Sequence, residues 1–109
     1  MAVDAEQNVL DRVVSRLVDA LHPRRIVLFG SAARGEMGPH SDYDLMVVMA
    51  DGTHRGETSK KAYRALWGTG TAVDIVVVTE HDVAVCGDDP FYVLHDALTD
   101  GVELYRAAA

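Results

Sequence analysis

A single cysteine, Cys86, stands among 109 residues, which excludes an internal disulfide; it is expected to be a small core or half-exposed residue. No apolar run reaches the roughly 18 residues that a membrane span needs. The opening stretch, MAVDAEQNVLDRVV, carries acids early and lacks a basic segment leading into an apolar run. It is therefore not expected to be a signal peptide, and a cytoplasmic location is the default expectation. Basic residues are also scarce: 10 Lys and Arg face 17 Asp and Glu, giving a formal charge of −7. A domain that grips a long nucleic acid usually has the opposite balance, because phosphate neutralisation supplies most of that affinity. Directly bound DNA or RNA is thus discounted. Acidity agrees instead with a carboxylate site filled by cations and with a basic protein partner. Repeats, low-complexity tracts and internal linkers are lacking too. What is present is an ordinary globular composition, 49% apolar and 25% charged, in a length that suits one small domain over residues 1–109. Its core must be modest. No room is expected for a second substrate-binding domain, so a large acceptor must bring its own structure.

Val9, Leu10, Val13, Val14, Leu17, Val18 and Leu21 recur at helical spacing, which predicts an amphipathic helix over about 4–21, stopped by Pro23. Arg25 to Gly30 is a short, β-branched apolar run and reads as a buried strand. Ser31 to Arg34 reads as the first turn of a short helix, and Gly35 to Ser41 as a loop. A second strand is expected over Asp42 to Met49 and a loop over Gly52 to Gly56. A helix follows from about Glu57 to Trp67, burying Ala62, Ala65 and Leu66 with Trp67 as core packing. Lys60, Lys61 and Arg64 form its wet face, and Gly68 and Gly70 end it. Thr71 to Val78 is the strongest strand in the chain. Thr79 with Asp82 three residues later resembles a helix N-cap, so a short helix should start near Glu80. Asp89 and Pro90 open a last helix that Gly101 ends, before a closing strand or extended tail over Val102 to Tyr105. The order defines an α/β domain: a small mixed β-sheet flanked by helices.

The chemistry sits at strand ends. Asp42 and Asp44 are two apart, so a strand points both carboxylates to one face and Tyr43 to the other. Like charges that close are best tolerated with a cation between them, and magnesium commonly takes one or two carboxylates plus substrate phosphates. Asp74 interrupts an apolar strand. Burying it unpaired would be costly, so it is either exposed at the sheet's edge or paired with a positive group. Should its strand lie beside that of Asp42 and Asp44, three acids converge, enough for two divalent ions. Phe29-Gly30-Ser31-Ala32-Ala33-Arg34-Gly35 supplies a complement. A glycine after a strand lets the backbone turn close to a ligand, and a helix start offers free N–H groups to a phosphate. Ser31 adds a hydroxyl donor and Arg34 a positive charge.

Gly30-Ser31, ten further residues, then Asp42-Tyr43-Asp44, with Asp74 as a later third acid, resembles the DNA polymerase beta-like nucleotidyltransferase superfamily in its minimal form. Arg34-Gly35, Ser41 and the tail Gly101 to Tyr105 also fall where that family has them, whereas Tyr43 replaces its small aliphatic residue. The resemblance implies the polymerase beta-like nucleotidyltransferase fold and a reaction of ATP with two Mg2+ ions. It implies Asp42, Asp44 and Asp74 as metal ligands and catalytic residues, with Asp74 also the base. Gly30 and Ser31 would hold the phosphates, with Arg34 and Ser41 completing the nucleotide site. Minimal members of this kind are often antitoxins paired with a helical HEPN ribonuclease. The expected function is accordingly transfer of AMP to a tyrosine hydroxyl of such a partner. Two alternatives stay open: a non-catalytic antitoxin that acts by occlusion, and a small-molecule nucleotidyltransferase working with a separate helical subunit. The sequence is compatible with a homo-oligomer. The histidines at 22, 40, 54, 81 and 95 lack zinc-ligand spacing and read as surface or loop residues, His40 lying beside the site.

Overall fold

Leu10, Val13, Leu17 and Leu21 are all buried along one side of α1 (Ala5–Leu21), with Val9, Val14 and Val18 packed partly against the same core. The helix ends where His22 turns left-handed (φ 50°), its N–H reaching the Val18 carbonyl at 2.9 Å, and Pro23 then prevents continuation. A computed structural model of the chain describes residues 5–35, 42–86 and 93–108. Its remaining elements are β1 (Arg25–Phe29), α2 (Gly30–Ala33), β2 (Tyr43–Met49), α3 (Arg55–Ala65), β3 (Val73–Thr79), α4 (Glu80–Cys86), α5 (Val93–Asp100) and β4 (Val102–Arg106).

The four strands form one mixed sheet in the order β3-β2-β1-β4. β1 pairs antiparallel with both β2 and β4, while β2 and β3 run parallel. Central β2 is buried at every position except Asp44, as expected of a strand covered on both faces. The alternation of side chains divides the core in two. Ile26, Leu28, Tyr43, Leu45, Val47, Val73 and Ile75 face α1 and α3, where Ala62 and Leu66 meet them. Val27, Met46, Val48, Val76 and Val78 face the other way, toward Val83 of α4 and Ala97 and Leu98 of α5. Burying one such side chain stabilises by about 1.5–3 kcal/mol.

The caps hold the helices in place. Thr79 Oγ1 accepts from the Asp82 N–H at 3.2 Å, and Asp82 Oδ2 accepts from the Thr79 N–H at 2.9 Å. This reciprocal pair is the N-terminal signature read in the sequence. His54 Nδ1 accepts from the Glu57 N–H at 3.1 Å, so α3 starts two residues earlier than its apolar pattern suggests. Arg16 of α1 donates to the carbonyls of Ala65 (3.3 Å) and Trp67 (2.9 Å), satisfying the C-terminal end of α3.

One expectation fails. Trp67 is not core packing but is 85% exposed. The helix closes at Ala65, and the turn that follows carries the indole off the apolar face on which Leu66 remains. The start of α5 at Asp89 and Pro90 lies outside the described residues.

Candidate active site

Parallel pairing sets Asp44 directly opposite Asp74. Both belong to the sheet face of Met46, Val48, Val76 and Val78, and Tyr43 lies in the core on the other side. Asp42 immediately precedes β2, two residues before Asp44. Asp42 and Asp74 are exposed, Asp44 is half-buried. Of the two alternatives for Asp74, the exposed sheet edge is thus the one realised, because β3 is an outer strand.

On the opposite flank of Asp44 runs β1, whose Phe29 is its partner in the ladder, and Gly30 follows. Gly30 has φ +73°, and a Cβ there would overlap the Asp44 Oδ2 and stand 3.2 Å from its Cγ. Only glycine meets both constraints, and the backbone of α2 is thereby brought against the carboxylate. Arg34 follows α2 as an exposed residue whose charge reaches Asp44. Ser31 occupies the second position of α2, and Ser41 and His40 lie outside the described residues.

The Asp44 carboxyl is held above its ordinary value, first by burial, then by the negative charges of Asp74 and Asp42, while Arg34 opposes the rise. Asp44 therefore feels the negative charge of both Asp74 and Asp42. A divalent cation relieves repulsion of this kind, and hard carboxylate oxygens are the donors that magnesium prefers. As the side chains stand, no three His, Cys, Asp or Glu residues among the described residues are gathered closely enough to hold a metal ion. The donor chemistry of the carboxylates suits such an ion.

Two contacts went unread in the sequence. The Tyr63 hydroxyl on α3 accepts the Ile75 N–H at 3.0 Å, fixing the outer edge of β3 beside Asp74. His54 serves as a helix cap, a role its spacing to other ligand-type residues could not reveal. No helix among the described residues is long and apolar enough to cross a membrane.

The sheet is small and mixed, acids stand at the head of its two parallel strands, and a glycine turn is set against one of them. Residues 9–83 match the family model for the nucleotidyltransferase domain, and the chain belongs to that family. Comparison with curated proteins gives no significant match. Among solved structures, the chain is similar to a candidate nucleotidyltransferase from Sulfolobus solfataricus, with 20% identity and a TM-score of 0.63 over 91% of this chain and 78% of that one. It is also similar to a toxin–antitoxin complex with AMP-PNP, with 24% identity and a TM-score of 0.56 over 89% and 73% of the two chains. A third similar structure is a tri-AMPylated Shewanella oneidensis HEPN toxin in complex with an MNT antitoxin, with 22% identity and a TM-score of 0.53 over 93% and 72%. At these identities the likeness is one of fold.

Proposed function

We propose that this chain, as a single cytoplasmic domain over residues 1–109, is a magnesium-dependent nucleotidyltransferase. It moves AMP from ATP to a tyrosine hydroxyl of a helical HEPN-type partner and so silences that partner as an antitoxin. The observation that carries this reading is the in-register placement of Asp44 and Asp74, with Asp42 at the head of the same strand and Gly30 against Asp44. Family membership and the likeness to toxin–antitoxin structures support it.

Asp42, Asp44 and Asp74 would hold two magnesium ions, which when bound supply charge neutralisation at the triphosphate and lower the cost of pyrophosphate departure. Gly30 and Ser31 present backbone N–H groups to the β- and γ-phosphates, with Arg34 and Ser41 at the margin of the nucleotide. The acceptor oxygen attacks the α-phosphorus, forming an O–P bond as the bond to the β-phosphate oxygen breaks. The hydroxyl proton passes to the Asp74 carboxylate and pyrophosphate leaves. Positioning of the attacking oxygen supplies much of the acceleration.

The test is incubation with ATP labelled at its α-phosphate, magnesium and each product of the two genes flanking this one. Label on a tyrosine of a helical partner, with one pyrophosphate released per label, is expected. Absence of label with an intact Asp42, Asp44 and Asp74 would reject transfer. The alternative is neutralisation by occlusion alone. Asp44→Ala separates the two: catalysis requires that neutralisation be lost while the complex persists, and occlusion requires that both survive.

A further inference from the structure

The outer edge of β3 carries a patch that the nucleotide site does not use. Tyr63 is 47% exposed and Trp67 is 85% exposed, and both flank an open groove of about 310 Å3 formed with Leu66 and the turn from Gly68 to Val73. Two neighbouring aromatic rings this exposed, rimmed by polar residues, form an apolar patch of the kind that marks an interaction surface. Lys60, Lys61 and Arg64 are exposed on the same helix and form no ion pair with any described residue. Arg24, Arg25, Arg55 and Arg106, whose charges are paired, lie away from this stretch. Lys60, Arg64 and Trp67 follow one another at four- and three-residue spacing, so they lie along one side of α3 and its C-terminal turn. In a chain of formal charge −7, this is a basic stripe with aromatic residues set in it.

Its position matters. Strand order puts Asp44 between β1, with Gly30 and α2, and β3, with Asp74. If the phosphates lie on the Gly30 flank, the attacking group must enter from the β3 flank. α3 runs back along β3, so its C-terminal turn stands at the Asp74 end of that strand, and the Tyr63 hydroxyl touches the residue next to Asp74. α3 packs on the sheet face opposite the carboxylates, so a macromolecule seated on Trp67 and Tyr63 reaches Asp74 by wrapping the free edge of β3.

We infer that the groove between the C-terminal turn of α3 and the start of β3 is the docking surface for the acceptor protein, which presents an acidic surface around an apolar centre. This rests on the transferase reading for the word acceptor, but not for the docking itself. Charge complementarity selects the occupant. Three exposed cations along α3 of a strongly acidic chain attract a local acidic protein patch, whereas a long polyanion would be repelled by the rest of the surface. Tryptophan and tyrosine are the side chains that most often carry protein–protein affinity.

Trp67 is the sole tryptophan, so fluorotryptophan incorporation gives one fluorine NMR signal at the proposed contact. Each purified flanking gene product is titrated against this 109-residue chain without ATP, using wild type, Trp67→Ala by calorimetry, and Lys60→Glu with Arg64→Glu. The expected result is a shift of the fluorine signal on binding, and an affinity loss of at least about tenfold in both variants. Magnesium-dependent ATP binding should remain as in wild type, which shows that the variants are folded. Binding that leaves the signal and both affinities unchanged overturns the proposal, as does absence of any complex. Capture of a single-stranded RNA in place of protein, lost on charge reversal, would also overturn it. Trp67-dependent binding without AMP transfer would leave the docking surface standing and remove the transferase reading alone.

Discussion

Asp44 on β2 and Asp74 on β3 face each other across a parallel ladder, and the first is forced to share its space with the Gly30 backbone. Repulsion among the acids has a thermodynamic signature. With its carboxyl raised above the ordinary 3.8, Asp44 binds a proton more tightly in the folded chain than in the unfolded one. Its ionisation therefore works against the fold as pH rises from the ordinary value through the raised one. Asp44→Asn removes that cost. In chelator at neutral pH this variant should melt a few degrees higher than wild type. The gain should shrink as pH is lowered toward 3.8. A variant that melts lower at neutral pH would show that the carboxylate is held by favourable partners.

Gly30→Ala places a methyl group in the Asp44 carboxylate and a non-glycine residue at φ +73°. The backbone conformation alone costs roughly 1–2 kcal/mol. The variant should lose that much stability in urea unfolding and should also lose magnesium-dependent nucleotide binding, because Asp44 must move. Retention of both would mean that the turn is free to relax away from β2.

Asp82 closes the cap between β3 and α4 and pairs with Arg55 at 2.9 Å. Asp82→Ala should cost about 1 kcal/mol, seen as a drop in Tm of roughly 4–8 °C. The Thr79 backbone N–H, and then the Arg55 charge, hold this carboxyl below its ordinary value against the opposing effect of burial. Its contribution is present above 3.8 and is lost as pH falls through the depressed value. Wild type and variant should therefore converge in strong acid, where a persistent gap would point to packing rather than charge.

Tyr63→Phe deletes the acceptor for the Ile75 N–H. A net loss of about 1 kcal/mol makes the Ile75 amide exchange about fivefold faster in native-state hydrogen exchange. An unchanged rate would mean that solvent already substitutes for the phenol at that edge.

Much of this was legible in the chain itself. Heptad-like recurrence from Val9 to Leu21 specified α1, and Thr79 with Asp82 specified the start of α4, because each is a local rule with a local cause. The alternation in Asp42-Tyr43-Asp44 gave the shared face, since side-chain direction in a strand depends on parity alone. Strand order and the register of Asp44 on Asp74 are long-range facts, set by how α3 crosses over to return β3 beside β2. Spacing could only pose convergence as a condition. Trp67 was misread because apolarity was taken as burial, whereas the helix ends two residues before it. The proximity of Tyr63 to Ile75 has no signature in a twelve-residue separation.

The claim on which the account depends is that Asp42, Asp44 and Asp74 hold a nucleoside triphosphate through magnesium. Calorimetric titration of AMP-PNP into the wild-type chain, with and without magnesium, tests it directly, with Asp44→Asn and Asp74→Asn as comparisons. The account predicts binding that requires magnesium and weakens by about tenfold or more in each variant while the far-UV circular dichroism is unchanged. Binding of equal strength in all three chains, or binding indifferent to magnesium, would contradict it.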